Sequence, residues 1–248
     1  MAHRANRLLV TAALAIAAAA GMASASITGA LVHIKATSSL GTAELEFITN
    51  SDFENGILTD GLTDSVELVN DNGDLIAILT NLNVLLIADP VVNMNFSVFA
   101  GAADTSFVIT STLLGFPALT NPIARSSASV SVTDSNGDGA TASGDYGGGK
   151  MFRSFYNGAV AGAGSIFATL VDSPVVILDG FGSDDSTEAS GPGFDVIFDS
   201  VTSMSTEFQF TLSARDQVGA TSTFVVVPSP ASMALASIGV LAMYRRKR

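Results

Sequence analysis

Oxygen-bearing side chains recur at every second position of Asp134-Ser135-Asn136-Gly137-Asp138-Gly139, and Asp145 falls at the twelfth position counted from Asp134. A hard cation such as Ca²⁺ gathers oxygens from the first, third and fifth residues of a tight loop, and Gly139 stands at the sixth position, where such a loop must bend sharply. Asp134, Asn136, Asp138 and Asp145 therefore offer four side-chain ligands, and Ala140 offers a main-chain oxygen. Ala142, at the ninth position, leaves that place to water. The same residues also suit a hairpin loop held by Asx-turns without metal, and both readings fit the sequence.

The spacing resembles the calcium loops of dockerins and EF-hands. That resemblance implies a Ca²⁺ site at Asp134, Asn136, Asp138, Ala140 and Asp145, although neither flank carries a helical pattern. A second acidic stretch, Asp179 to Asp195, holds Asp184, Asp185 and Glu188 among Gly, Ser and Pro. It reads as a solvated mobile loop or as a weak divalent-ion site.

Catalytic constellations are harder to build. Beyond residue 25 the only histidine is His33, in an alternating segment, and neither Ser38, Ser39 nor any other serine sits in a nucleophile-elbow motif. Glu44 and Glu46 share one strand face with side chains about 7 Å apart. No tryptophan is present to stack a sugar ring, so the pair reads as solvent-facing. Gly147-Gly148-Gly149 and the segment from Gly158 to Gly164 read as loops, since neither opens a helix after a buried strand. The chain is expected not to be an enzyme.

Charge narrows the partners. Of 11 basic residues among 248, six (Arg4, Arg7, Arg245, Arg246, Lys247 and Arg248) lie at the extreme ends, leaving five against 23 acidic residues between, a net charge of −18. Such a body repels phosphate backbones, which argues against nucleic acid, and favours cations or simple solvation. The absence of cysteine rules out disulfides and thiolate chemistry.

The two ends read as targeting elements. Arg4 and Arg7 precede an apolar run from Leu8 to Ala20, and Ala23-Ser24-Ala25 offers a cleavage site before Ser26, so residues 1–25 form a signal peptide. At the other end, Val227-Pro228-Ser229-Pro230 precedes an apolar stretch from Ala231 to Tyr244 and the cluster Arg245-Arg246-Lys247-Arg248. Fourteen helical residues rise only about 21 Å, short of a bilayer's hydrocarbon core, which suits a transient sorting segment more than a robust single-pass anchor. This order of elements resembles the PEP-CTERM sorting signal, with Ser229 where that family typically has Glu. The resemblance implies processing by an exosortase-like enzyme after passage through the export machinery. It also implies a place in the cell envelope, at the cell surface or in the extracellular matrix. Residues 93–114, 127–139 and 150–157 also resemble the ectodomains of that family.

Between the ends, residues 26–226 read as one all-β domain, and 227–248 as the sorting tail. Period-two alternation appears at residues 31–36 and 44–49. Residues 65–70 and 75–80 flank Asp71-Asn72-Gly73-Asp74, a hairpin in which Asn72-Gly73 is expected to supply positive φ angles. Further strands are expected at 84–88, 91–100, 105–112, 127–133, 151–156, 165–170, 194–198, 207–214 and 222–227, with one helical turn at 199–206. The pattern predicts an antiparallel β-sandwich, jelly-roll or Ig-like, between a signal helix and a short hydrophobic helix. The expected function is an exported structural or adhesive surface protein, with a Ca²⁺-assisted carbohydrate-binding module acting on extracellular polysaccharide as the alternative.

Overall fold

The computed structural model describes residues 25–158, 163–172, 175–178 and 180–229. Ala23, Pro230 and the Arg245-Arg246-Lys247-Arg248 cluster, with both expected terminal helices, lie outside those residues.

Among the described residues sixteen strands follow one another: β1 (Ser26–Ser38), β2 (Gly41–Phe47), β3 (Ile57–Gly61), β4 (Val66–Val69), β5 (Leu75–Ile87), β6 (Val91–Ala100), β7 (Thr105–Thr120) and β8 (Ile123–Asp134). The second half continues with β9 (Ala140–Gly144), β10 (Phe152–Tyr156), β11 (Ser165–Leu170), β12 (Val175–Ile177), β13 (Gly182–Ala189), β14 (Asp195–Val196), β15 (Ser200–Leu212) and β16 (Gln217–Val227). They form two antiparallel eight-stranded sheets in a sandwich-like arrangement. Sheet A runs β11-β10-β15-β7-β1-β2, with β9 on β15 and β12 on β9. Sheet B runs β13-β8-β16-β6-β5-β3, with β14 on β8 and β4 on β5.

Alternating side chains place one face of each sheet inward. On β6, Val92, Met94, Phe96, Val98 and Ala100 are buried; on β16, Val218, Ala220, Phe224 and Val226 are. Aromatic rings join the layers: Phe96 of sheet B meets Phe208 of sheet A edge-on at 5.1 Å, and Phe167 of sheet A stacks on Phe224 of sheet B at 5.3 Å. Such pairs add about 0.5–1.5 kcal/mol beyond burial itself.

Several segments differ from the sequence-based expectation. Residues 75–80 and 84–87 belong to a single strand, β5, which ends before Ala88 and whose register shifts between Leu79 and Asn81. The extra residue, Thr80, moves inward-facing parity from Ala77 and Leu79 to Leu82, Val84 and Leu86, which is what a β-bulge does. Residues 199–206 hold no helical turn, because from Ser200 the chain pairs with β7 and, at Met204–Thr206, also with β10. The acidic stretch after Asp179 is no solvated loop: β13 lies along β8 from Gly182↔Asp134 to Ala189↔Ser127. At the β4–β5 hairpin only Gly73 has positive φ, at 90°. Asn70 rather than Asn72 organises that turn, its Oδ1 accepting from the Asn72 and Asp74 amides, both at 2.9 Å.

Candidate binding face

The outer face of sheet B carries a broad patch of amide and hydroxyl side chains. Polar outward positions are Asn81 and Asn83 on β5, Asn93, Asn95 and Ser97 on β6, Thr221 and Thr223 on β16, and Ser127, Ser129 and Ser131 on β8, with Leu85 of β5 opposite Asn93. Register aligns them into rows, because cross-strand partners point to the same side. One row reads Asn83–Asn95–Thr221–Ser129–Thr187 and the next Asn81–Ser97–Gly219–Ser131–Asp185.

Hydrogen bonds hold these side chains in fixed orientations. Asn81 Nδ2 donates to Asn95 Oδ1 at 2.8 Å, Asn95 Nδ2 to Thr221 Oγ1 at 2.6 Å, and Asn93 Nδ2 to Thr223 Oγ1 at 2.7 Å. Thr187 Oγ1 donates to Ser129 Oγ at 2.8 Å. Gly219 interrupts the second row, and the missing side chain leaves a shallow cavity of about 270 Å³ bordered by Asn81, Asn95, Ser97, Ser129, Ser131 and Thr221. The face thus offers amides and hydroxyls, able to donate and accept in several directions, around one depression.

The loop after β8 takes a different form from an open ligand set. Asp134 is buried, and its Oδ1 accepts from the Asn136 and Gly137 amides at 3.1 and 2.7 Å, its Oδ2 from the Gly139 amide at 2.9 Å. Burial works against its charge, but the Gly137, Gly139 and Asn136 amides outweigh it and hold the carboxyl below its ordinary value. Asn136 Oδ1 accepts from the Asp138 amide at 3.1 Å, a second Asx-turn. Ala140 opens β9, so Asp145 lies beyond that five-residue strand, about 16 Å along the chain. There its carboxylate accepts from Thr211 Oγ1 at 3.2 Å, and burial pushes it above its ordinary value despite that bond. The structure therefore brings Asp134, Asn136 and Asp138 into one loop and sets Asp145 past the far end of β9. Among the described residues, no three His, Cys, Asp or Glu side chains gather as a metal site.

A second buried carboxylate braces this loop. Asp216, in the turn between β15 and β16, accepts from the Ser135 amide at 3.2 Å and from Ser213 Oγ at 2.5 Å. Its carboxyl is pushed up, first by burial and further by the charges of Asp134 and Asp138, with Ser213 and Ser135 opposing.

Sheet A carries a polar row as well: Thr169–Arg153–Glu207–Thr110–His33–Glu46. Glu207 is nearly buried and accepts from Tyr146 Oη at 2.6 Å and Thr110 Oγ1 at 3.0 Å. The Arg153 guanidinium lies over the Tyr146 ring, 4.0 Å from its centroid. Burial, then the Glu207 hydrogen bond and charge, push the Tyr146 phenol far above its usual value, so it stays protonated as a donor. Farther along, Lys35 pairs with Glu44 at 2.8 Å and His33 lies 3.8 Å from the same carboxylate, all half-exposed. Lys150 Nζ meets both Glu188 oxygens at 3.0 Å and Asp172 at 3.3 Å, so Glu188 belongs to an ion pair rather than a solvated loop.

Of the terminal residues singled out from sequence, Ala25 precedes β1, Ser26 is its first residue, and Val227 is the last of β16, with Pro228 and Ser229 following. The sheet B face escaped the reading of the sequence. Its signal was present as Asn93-x-Asn95-x-Ser97 and Ser127-x-Ser129-x-Ser131, the polar halves of two alternating strands.

No protein-family model and no curated protein matches the chain. Among solved structures, TmCBM61 in complex with beta-1,4-galactotriose is similar at 9% identity, covering 73% of this chain and 97% of that one, with a TM-score of 0.27. Infectious bursal disease virus Gx strain is similar at 12% identity, covering 86% and 68%, with a TM-score of 0.14. At such TM-scores neither bears on what this chain does.

Proposed function

We propose that this chain is an exported, non-enzymatic surface protein that adheres to neutral extracellular polysaccharide through the outer face of sheet B. The observation that carries the binding half is the hydrogen-bonded Asn–Thr–Ser rows around the Gly219 depression. Sugar hydroxyls are matched by fixed amide and hydroxyl groups, and a face whose one charged row member is the Asp185 carboxylate, on an acidic body, favours a neutral polymer over an anionic one. Export rests on the signal sequence ending at Ala25 and on the Pro-Ser-Pro, apolar and basic order of the tail. The path crosses between sheets at β2–β3, β6–β7, β7–β8, β8–β9, β12–β13, β14–β15 and β15–β16, which supports a jelly-roll form of the sandwich.

The test is binding of the purified full chain to a panel of neutral and acidic polysaccharides, with and without chelator. Retention on a neutral polymer supports the reading, and loss of that retention on chelation assigns calcium an assisting role at the Asp134–Ala140 loop. Retention on none of them overturns it.

A further inference from the structure

Exposed apolar side chains collect where the last strand leaves the sandwich. Phe194, Val196 and Phe198 occupy alternate positions beside and within β14 and are 46%, 44% and 88% exposed, while Ile197 between them is buried. Val196 and the terminal Val227 of β16 both pair with Ile123. Backbone hydrogen bonds tie the same end together: Ile197 N to Pro122 O at 2.9 Å, Asn121 N to Asp199 O at 2.9 Å and Val226 N to Pro90 O at 3.0 Å. One row further in, the outer face of sheet B changes from Asn, Ser and Thr to Ile57–Ile87–Val91–Val225, ending at the exposed Arg125, and Ile57 is 46% exposed.

We infer that this end of the sandwich rests on a lipid bilayer, with Phe194, Val196 and Phe198 entering the boundary between headgroups and acyl chains. The inference relies on the reading of the C-terminal segment as a membrane-sorting tail. Only Pro228-Ser229-Pro230 separates Val227 from the apolar stretch that begins at Ala231, a reach of at most about 14 Å. While that stretch is in a membrane, the end of β16 is therefore held close to the headgroup layer, whose thickness is about 5–8 Å on each side. Exposed phenylalanines and valines at that depth leave water for an apolar environment, which favours the contact. Asp195, between Phe194 and Val196, and Asp199, next to Phe198, are exposed and outnumber Arg125, the single nearby cation among the described residues, so a zwitterionic surface suits the tip better than an anionic one.

Because the chain has no cysteine, single cysteines can be labelled selectively with a polarity-sensitive fluorophore. The full chain is reconstituted into phosphatidylcholine vesicles containing acyl-brominated lipid, with the label at Phe198→Cys, at Asn72→Cys or at Ser237→Cys. Asn72 lies at the far end of β5 from Ile87, about 40 Å away. The expected result is a blue shift and loss of most fluorescence at positions 198 and 237, and no change at 72. Quenching at 237 without quenching at 198 overturns the tip contact while leaving the tail reading intact. No quenching at 237 overturns the tail reading, and the inference with it. A shift at 198 that grows with protein concentration in lipid-free micelles assigns the patch to a second copy of the chain and also overturns the proposal.

Discussion

Asn95 and Thr221 lie 126 residues apart in the chain, yet the Asn95 amide donates a 2.6 Å hydrogen bond to the Thr221 hydroxyl across β6 and β16. Each fixes the other's rotamer, so part of the entropy a ligand would otherwise remove is already gone from the free protein. Neighbouring Gly219 keeps the depression open, and a Cβ there would meet only the flexible Ser131 hydroxyl, at 3.1 Å.

Gly219→Val should therefore fill the depression and weaken polysaccharide binding by about tenfold or more, a loss of roughly 1.4 kcal/mol. Stability should move by less than about 1 kcal/mol, since the position faces outward. Affinity electrophoresis and a urea titration measure the two quantities. Unchanged retention in the polymer gel would remove the sheet B face from consideration.

Tyr146→Phe removes one of two donors to the nearly buried Glu207 and should cost about 1–3 kcal/mol, the penalty for an under-satisfied buried acceptor. Equilibrium denaturation gives the number. A variant as stable as the parent would mean that water replaces the phenol. In the parent, absorbance should show the Tyr146 phenol resisting ionisation at alkaline pH where an ordinary tyrosine titrates.

Asp216→Asn tests the raised carboxyl in the β15–β16 turn. A group whose folded pKa is raised binds its proton more readily folded than unfolded, so its contribution is most favourable at acid pH and declines as pH rises through the folded value. The stability of the parent minus that of the variant should accordingly fall as pH rises above the ordinary aspartate value of about 4. Asp134, held low, gives the opposite slope, its stabilisation being lost as pH falls through its folded value. A flat difference curve would show that Asp216 titrates normally.

Lys150→Met cuts the link between the β9–β10 segment and β13, where Lys150 meets Glu188 and Asp172. The pair is partly exposed, so the expected loss is only about 1 kcal/mol. The sharper readout is amide exchange: β13, at the edge of sheet B, should lose protection while β16 keeps it. Equal protection in both proteins would show that pairing with β8 alone holds the edge.

Strands whose alternation is clean were legible from sequence, with residues 91–100 and 165–170 bounded as β6 and β11 are. The misses have physical causes. β5 looked like two strands because the Thr80 bulge reverses the pattern midway. β13 has exposed Asp184 and Asp185 and no apolar period, so only the open edge of β8 makes it a strand. The Asp134–Gly139 loop was found by its spacing, but spacing did not reveal that backbone amides occupy the Asp134 oxygens. The sheet B face depends on which strands become neighbours, and Asn93 finds Thr223 across 130 residues of chain.

The central place of β16, between β8 and β6, has a temporal consequence. Among the described residues it is the last strand to be synthesised, and until it arrives the two halves of sheet B have no common partner. Pairings this remote in sequence are slow to find, so sheet B stays open down its middle until β16 has emerged from the ribosome.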